Sequence, residues 1–281
     1  MQGKKLTLPA QETHKGQNGK LLIIGGSRLF HAASLWSAQV ASHLVDMVFY
    51  ASTSENNLFA KTAKSNFRDG IVIERDNVLD YAAEADVILL GPGLTRGQAS
   101  RQDLEKIIKN GDELTHEQWQ NDTYLVTNWM LARFPEKKFV LDAGALQMLE
   151  LDWVSEKCIL TPHQVEWQQL QKQARSKTLQ ARLQAATILS KNQVDQVLCN
   201  GAVVSKIAGG NAGLTKGGSG DVLAGLAAGL YCYNDAATAC IWASQTLKTA
   251  ADDLYQTYGP FYTTTQLCEQ IPKTLWRLVH A

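Results

Sequence analysis

Several features that would place the chain in a special class are missing from its sequence. The five cysteines are odd in number and form no CxxC pair or Cys/His cluster, so the sequence predicts neither a disulfide scaffold nor a metal site. Twenty-seven basic residues balance 27 acidic ones, which disfavours nonspecific binding to nucleic acid or to a membrane surface. No apolar run reaches the about 18 residues that a membrane helix needs. The residues before about position 20 hold no long apolar stretch, so we expect no secretory signal and a cytoplasmic location.

What the sequence does contain is an alternation of short apolar runs with longer amphipathic segments. This alternation is typical of a parallel sheet covered by helices on both faces, so we predict an α/β fold. A chain of 281 residues with 45% hydrophobic residues is long enough for a large core. Because no repeat, Pro- or Gly/Ser-rich linker or block of like charge interrupts it, we predict a single domain over residues 1–281.

The apolar runs and the helical spacing predict individual elements. Strands are predicted at residues 21–24, 47–50, 86–90, 138–142, 157–160, 196–199 and 203–207. Helices are predicted at residues 32–45, 165–175, 179–189, 219–231, 236–254 and 265–279. Glycine follows three of these strands closely, and Asp142 stands at a strand end, where α/β proteins bind ligands. A structural hydrogen bond to a neighbouring loop is the alternative role for Asp142.

The most specific local signal is the stretch GGNAGLTKGGSGD at residues 209–221, which leads directly into an apolar helix. Glycine and asparagine adopt positive φ at little cost, so such a stretch lets the backbone approach a ligand closely. Free amides that run into a helix N-terminus bind phosphate, helped by the positive end of the helix dipole. Asp221, in the first helical turn, is placed to take a proton from a substrate hydroxyl. The alternative is a flexible turn in which Asp221 caps the helix.

Two common phosphate-binding motifs are absent from this sequence. Lys216 precedes its glycines rather than following them, so the stretch is not a P-loop. The first strand is followed only by GGS at residues 25–27, which is not the GxGxxG fingerprint of dinucleotide-binding domains. Any phosphate site is therefore of another class, in which Lys216 supplies a movable positive charge.

These segments resemble a known family, the nucleotide-dependent NAD(P)H-hydrate dehydratases of the ribokinase-like superfamily. THKG at 13–16 and LIIGGS at 22–27 look like the family's opening, GPGL at 91–94 like its central loop, and VLDA at 140–143 like its next strand end. LTPH at 160–163 with Glu166 is similar to its TPHxGE segment, and residues 210–221 resemble its GNxGxxxGGTGD stretch. The blocks occur in order and cover nearly the whole chain.

The resemblance implies a three-layer α/β/α fold of the ribokinase-like type, with a central, mostly parallel sheet. It implies a hydro-lyase that repairs the hydrated cofactors NADHX and NADPHX. ADP or ATP would phosphorylate the hydroxyl on the hydrated ring, and elimination of phosphate would return NADH or NADPH with AMP or ADP. Mg²⁺ and a homo-oligomer are further expectations. Since only about 20 residues precede the first strand, we expect no N-terminal epimerase domain and a separate epimerase as partner.

The resemblance also assigns site residues. Asp221 would be the catalytic base, and the amides of residues 218–220 would form the anion hole for the transferred phosphoryl group. The substrate-binding positions are Ala33, Gly93, His163 and Asp221. The nucleotide-binding positions are Asn200, Gly201, Ala202, Val203, Val204, Asn211, Gly213, Thr215, Lys216, Gly217, Gly218, Ser219 and Gly220.

The chain departs from the family pattern at several positions. Phe30-His31-Ala32-Ala33 stands where the family has Tyr-x-Gly-Ala, and Gln164-Val165-Glu166 lacks the usual glycine. Asn200-Gly201 stands where the family has Lys-Gly, so we expect a missing cation near the phosphates, with Lys216 as its replacement. A helix-capping role is the alternative for His163. Two other functions stay open: a ribokinase-like kinase for a vitamin precursor or sugar, and a nucleotide-binding sensor without catalysis.

Overall fold

A single sheet organises the structure, a computed structural model that describes residues 5–62 and 69–281. Its strands are β1 (Lys20–Ile24), β2 (Met47–Ser52), β3 (Ile71–Glu74), β4 (Val87–Leu90), β5 (Lys138–Leu141), β6 (Cys158–Leu160), β7 (Thr187–Ser190), β8 (Asp195–Cys199) and β9 (Ala202–Ile207). The nine strands are arranged in the order β3-β2-β1-β4-β5-β6-β7-β8-β9. Neighbours from β3 to β7 pair in parallel, whereas β8 and β9 form an antiparallel hairpin beside β7. Residues 1–4, at the start of the segment expected to lack a secretory signal, lie outside the described part.

Helices cover both faces of this sheet. They are α1 (His31–Ser42), α2 (Ser54–Thr62), α3 (Val78–Glu84), α4 (Arg101–Asn110), α5 (His116–Asn121), α6 (Thr123–Arg133), α7 (Ala143–Met148), α8 (Gln164–Gln173), α9 (Lys177–Ala185), α10 (Ser219–Tyr231), α11 (Ala236–Tyr258) and α12 (Thr264–Val279). None of the described helices is long and apolar enough to cross a membrane.

The side chains of each central strand alternate between two cores. In β1, Leu21 and Ile23 pack with α1, α10, α11 and α12, whereas Leu22 and Ile24 pack on the other side with α4, α6 and α8. A parallel strand that is buried on both faces consists of apolar residues throughout, which explains the uninterrupted apolar runs in the sequence. The predicted α/β fold with helices on both faces of a mostly parallel sheet is confirmed.

Most predicted elements are confirmed, but the helix at 179–189 is wrong in its second half. Helix α9 ends at Ala185, and Thr187–Ser190 forms β7 between β6 and β8. No glycine or proline separates this helix from the strand, so local sequence offers no boundary, and pairing with two neighbouring strands decides the outcome. Strand β3 and helices α2 to α7 were not predicted.

The parallel arrangement places the carboxyl ends of β1, β4, β5, β6 and β7 at one edge of the sheet. Gly25, Gly91, Asp142, Thr161 and Lys191 follow these strands directly. Open α/β sheets bind their ligands at this edge. The candidate site is therefore built there.

Candidate active site

The turns after β1 and β4 bring Ala33 and Gly93 together. A Cβ atom built at Gly93 would lie 3.0 Å from the Cβ of Ala33 and 2.5 Å from the carbonyl oxygen of Phe30. The Ser37 hydroxyl contacts the Ala33 carbonyl oxygen at 3.3 Å and the Asp221 carbonyl oxygen at 2.8 Å. Helix α1 thus carries one predicted substrate-binding residue, Ala33, and is hydrogen-bonded through Ser37 to the backbone of the predicted base.

The buried Asp142 and the partly exposed Lys191 form an ion pair at the ends of β5 and β7. The Asp142 carboxylate, 1% exposed, accepts hydrogen bonds from Lys191 Nζ at 2.6 Å and Thr161 Oγ1 at 2.7 Å. Burial lowers the pKa of Lys191, but the carboxylates of Asp142, Glu166 and Asp221 raise it by more. Lys191 is therefore a permanent positive charge at this edge of the sheet.

Asp221 occupies the first turn of α10, as predicted from the sequence. Burial, followed by the negative charge of Asp142, raises its pKa to about 7, although Lys191 acts in the opposite direction. A carboxylate with a pKa near neutrality is well matched to proton abstraction at physiological pH. A hydrogen bond from its own backbone amide also acts to lower this pKa, so the capping role that was the alternative for Asp221 stays open.

The N-cap residue of α10 is Gly218, which has no side chain with which to cap the helix. Gly218 precedes the helix with φ 101°, a backbone conformation that a residue with a side chain rarely adopts, and a Cβ there would lie 2.4 Å from the Trp36 ring. A Cβ built at Gly220 would lie 3.5 Å from Lys191 Nζ. The helix dipole and the Lys191 ammonium thus place positive potential at one position, which favours an anion.

A cavity of about 660 Å³ opens beside this helix start. Its lining residues are Lys191, Asn192, Gln193, Asp195, Gly209, Gly210, Asn211, Ala212, Leu214, Thr215, Ser219, Gly220, Leu223, Leu247 and Lys248. Its volume lies within the range of small-molecule and cofactor pockets. Of the predicted nucleotide-binding residues, Asn211, Thr215, Ser219 and Gly220 line it.

Comparison with known proteins decides the family. Residues 21–273 match the family model described as NAD(P)H-hydrate dehydratase. The chain belongs to the NAD(P)H-hydrate dehydratase family. This match covers the strands, the turns and the glycine-rich loop that form the candidate site.

Two curated relatives illustrate the range of the family. The chain is 31% identical to the bifunctional NAD(P)H-hydrate repair enzyme Nnr of Methanocaldococcus jannaschii, over 97% of this chain and 51% of that protein. It is 27% identical to the ADP-dependent (S)-NAD(P)H-hydrate dehydratase of Enterococcus faecalis, over 80% of this chain and 73% of that protein. The chain thus spans about half the length of the bifunctional relatives that it matches.

Solved structures show that the fold is ribokinase-like. A ribokinase-like superfamily protein from Enterococcus faecalis superposes with a TM-score of 0.74 at 22% identity, covering 97% of this chain and 92% of that one. The ADP/ATP-dependent NAD(P)H-hydrate dehydratase of Bacillus subtilis, co-crystallized with ATP/Mg²⁺, gives a TM-score of 0.69 at 20% identity and covers 98% and 95%. Ribokinase from Thermotoga maritima gives a TM-score of 0.56 at 9% identity, covering 92% and 99%.

The missing cation at Asn200 stays a prediction, but two lysines that the sequence analysis did not name line the cavity. Lys191 stands at the end of β7, and Lys248 on α11 forms an ion pair with Asp195 at 3.4 Å. Lys216, expected to act as the replacement, instead donates to the carbonyl oxygens of Pro260 and Tyr262. Had β7 been identified from the sequence, Lys191 would have stood directly after a parallel strand, where α/β proteins bind ligands, and would have been a candidate site residue.

The predicted nucleotide-binding residues 200–204 lie away from the cavity. Asn200 and Gly201 form the turn between β8 and β9, and both have positive φ. Since β8 runs antiparallel to β7, its end lies at the opposite edge of the sheet, about 15 Å from its start. Gly201 lines a different cavity of about 310 Å³, together with Trp167 and Gln184. The other members, Ala202, Val203 and Val204, are exposed on β9.

His163 adopts the capping geometry that was its alternative role. It is the N-cap of α8, and its Nδ1 accepts from the amides of Val165 at 3.1 Å and Glu166 at 3.4 Å. Glu166 completes the capping box by accepting from the His163 amide at 3.0 Å. The His163 side chain is 52% exposed, and the backbone of His163 forms an isolated parallel bridge with Lys191. Contact between His163 and substrate stays a prediction.

The remaining predicted residues, Gly213, Lys216, Gly217 and Gly218, belong to the same loop but do not line the cavity as described. Gly213 lies against the ring of Tyr262, and Gly218 lies against the ring of Trp36. These two glycines thus allow close packing within the protein, a role that the sequence analysis did not foresee. The loop therefore packs against Trp36 of α1 and against Tyr262 in the segment before α12.

Proposed function

We propose that this protein catalyses the nucleotide-dependent dehydration of NADHX and NADPHX to NADH and NADPH. Family membership supports this reaction, and so do the names of the relatives from Enterococcus faecalis and Methanocaldococcus jannaschii. The observation that carries the proposal is the position of Asp221. Its carboxyl group, with a pKa of about 7, lies in the first turn of α10, and its backbone carbonyl accepts a hydrogen bond from Ser37 on the helix that carries Ala33.

The site suits phosphoryl transfer from a nucleotide in the 660 Å³ cavity to a hydroxyl beside Ala33 and Gly93. Asp221 would accept the hydroxyl proton as the oxygen attacks the terminal phosphorus of ADP or ATP, and the bond to AMP or ADP would break. The amides of residues 218–220 and the Lys191 ammonium would stabilise the charge on the transferred group. The phosphate ester would then lose phosphate, and a proton from the neighbouring ring carbon, to give the reduced cofactor.

The residues present also suit Mg²⁺ that enters with the nucleotide. Among the described residues, no group of three or more His, Cys, Asp or Glu side chains is arranged to hold a metal ion alone. Mg²⁺ commonly binds one or two carboxylates together with substrate phosphates, and Asp142 and Asp221 are the carboxylates beside the start of α10. When bound there, the ion would neutralise charge on the phosphates.

The test is the rise in absorbance of the reduced nicotinamide when purified protein meets NADHX or NADPHX with Mg²⁺ and either ADP or ATP. Asp221→Asn should abolish the rise. Asp80→Asn is the matched control, because Asp80 is exposed and holds the same position in the first turn of α3. A flat trace from folded wild-type protein that binds nucleotide would contradict the proposal and favour a small-molecule kinase or a nucleotide sensor.

Three further expectations, drawn from the sequence and from the family resemblance, belong to the proposal. We infer a homo-oligomer, which light scattering on the purified protein tests, and a cytoplasmic location, which fractionation tests. We also infer that an epimerase for the hydrated cofactor is the functional partner. Slow dehydration of a mixture of the two NADHX epimers past half conversion, accelerated by an added epimerase, would support that partner.

A further inference from the structure

The side chain of Asn211 makes three hydrogen bonds within the protein, although it stands at the cavity wall. Its Oδ1 accepts from the Gly213 amide at 3.0 Å and the Tyr262 hydroxyl at 2.9 Å. Its Nδ2 donates to Asp252 Oδ1 at 3.0 Å, and Asp252 Oδ2 accepts from the Gly210 amide at 3.0 Å. These bonds determine the course of the loop between β9 and α10. The Asn211 side chain therefore shapes the loop.

The ring of Tyr262 lies directly against the same loop. Tyr262 is 1% exposed, and a Cβ atom built at Gly213 would lie 2.3 Å from its Cζ. Burial, with the charge of Asp252, raises the pKa of Tyr262 to about 12, so its hydroxyl stays protonated and donates at neutral pH. Tyr262 does not itself line the 660 Å³ cavity in the described structure.

The segment that carries Tyr262 is bonded to the loop on both sides of this contact. Lys216 Nζ donates to the Tyr262 carbonyl oxygen at 2.5 Å, and the Thr264 hydroxyl donates to the Gly217 carbonyl oxygen at 2.9 Å. The loop thus has contacts at Asn211, Lys216 and Gly217 with one segment of chain more than 40 residues away in sequence. A loop held in this way is ordered before its ligand arrives, which removes an entropic cost of binding.

We propose that Tyr262 is a positioning residue for nucleotide binding: its hydroxyl on Asn211 and its ring against Gly213 hold the loop in the shape that the phosphates require. The proposal deepens the proposed function and rests on it for the identity of the ligand. The hydrogen bond of the Tyr262 hydroxyl is a small part of the contacts that hold this ring in the core. Removing the hydroxyl therefore tests the positioning of the loop with little effect on the fold.

The experiment compares Tyr262→Phe with wild type and with Tyr258→Phe, which alters an exposed tyrosine on α11. Calorimetry with ADP and with ATP, each with Mg²⁺, should show Kd raised about three- to tenfold in Tyr262→Phe, the effect of one hydrogen bond. The kcat at saturating nucleotide should stay within about twofold of wild type. Amide exchange of residues 209–217 should become faster while exchange in the sheet is unchanged. Tyr258→Phe should match wild type in each measurement.

Asp252→Asn provides a second test at the other end of the same network. Gly210 and Asn211 donate to different oxygens of Asp252, and the NH2 group that replaces one of them cannot accept, so this variant should also raise Kd and speed exchange of the loop.

A Kd of Tyr262→Phe within twofold of wild type, or unchanged exchange of the loop, would overturn the proposal. A lower kcat with unchanged Kd would overturn it as well. Wild-type protein that binds nucleotide without converting NADHX would contradict the proposed function alone, because the binding and exchange measurements still test Tyr262. Wild-type protein that binds neither ADP nor ATP would overturn both.

Discussion

The charges around Asp221 predict how the dehydratase activity depends on pH. Burial and the neighbouring carboxylate of Asp142 raise the pKa of Asp221 to about 7, so the base is half ionised at neutral pH. Asp142→Asn removes that negative charge and also frees Lys191 from its ion pair, and both changes favour ionised Asp221. The acid limb of the pH profile should therefore move to lower pH in this variant.

The expected size of the shift follows from the effect of a single neighbouring charge, about one pKa unit. With a pKa of about 6 instead of 7, the ionised fraction of Asp221 at pH 6 rises from about one tenth to about one half. Activity at pH 6, relative to the alkaline plateau of the same variant, should increase about fivefold. Lys191→Met removes the positive charge instead and should move the limb to higher pH.

The assay measures kcat/KM for NADHX between pH 5 and 9 at saturating nucleotide, because this parameter reports the ionisation of the free site. Each variant is normalised to its own plateau, so that a general loss of activity does not hide the shift. Asp80→Asn, at the matching position of α3, should retain the wild-type profile. If the acid limb of Asp142→Asn stays in place or moves to higher pH, the electrostatic account of Asp221 is wrong.

Three further predictions concern the cations, the hairpin and the buried base. Lys191→Met should weaken ADP binding at least tenfold by calorimetry. Lys216→Ala should weaken it less than threefold, since the Lys216 ammonium is already bonded to two backbone carbonyls. A larger loss of affinity in Lys216→Ala than in Lys191→Met would contradict the assignment of Lys191 to the nucleotide site. Asn200→Lys should leave ADP affinity unchanged, because its turn lies at the opposite edge of the sheet, and a gain in affinity would refute that placement. Asp221→Asn should raise the free energy of unfolding at pH 8 by on the order of 2–4 kcal/mol, and have little effect at pH 4, in urea titrations. The folded pKa is raised from 3.8 to about 7, so the wild-type carboxylate costs stability as the pH rises through that window; an equal effect at both pH values would contradict this account.

The fold could be predicted wherever one segment carries its own boundary signals. Strands β1, β4 and β5 are apolar runs that end at or near glycine, and α10 begins where the glycine-rich stretch ends. Strand β7 was missed because it follows α9 without a turn residue, and its pairing partners are distant in sequence. A short apolar run next to a helix is too short for its periodicity to distinguish a strand from a continuation of the helix.

The sequence predicted the loop that forms the candidate site better than the charged side chains that line it. The loop at 209–221 is evident from composition, and Asp221 from its position at the helix start. Lys191 and Lys248 are ordinary lysines in the sequence, and only the ends of β7 and the packing of α11 bring them to the cavity. Nucleotide binding by residues 200–204 stays a prediction; their distance from the cavity follows from the antiparallel pairing of β8 with β7, a strand that the sequence did not predict.

The sequence by itself determined the fold class and predicted a phosphate-binding loop with Asp221 as base, because buried periodicity and positive φ are local properties of the chain. Only the tertiary structure decided which cations face the cavity, and why Gly213 and Gly218 are glycines. It also decided the pKa of Asp221, which depends on burial and on Asp142 and Lys191 from two other strand ends. Electrostatic and packing contacts join residues that are distant in the chain, so they exist only after the sheet has formed.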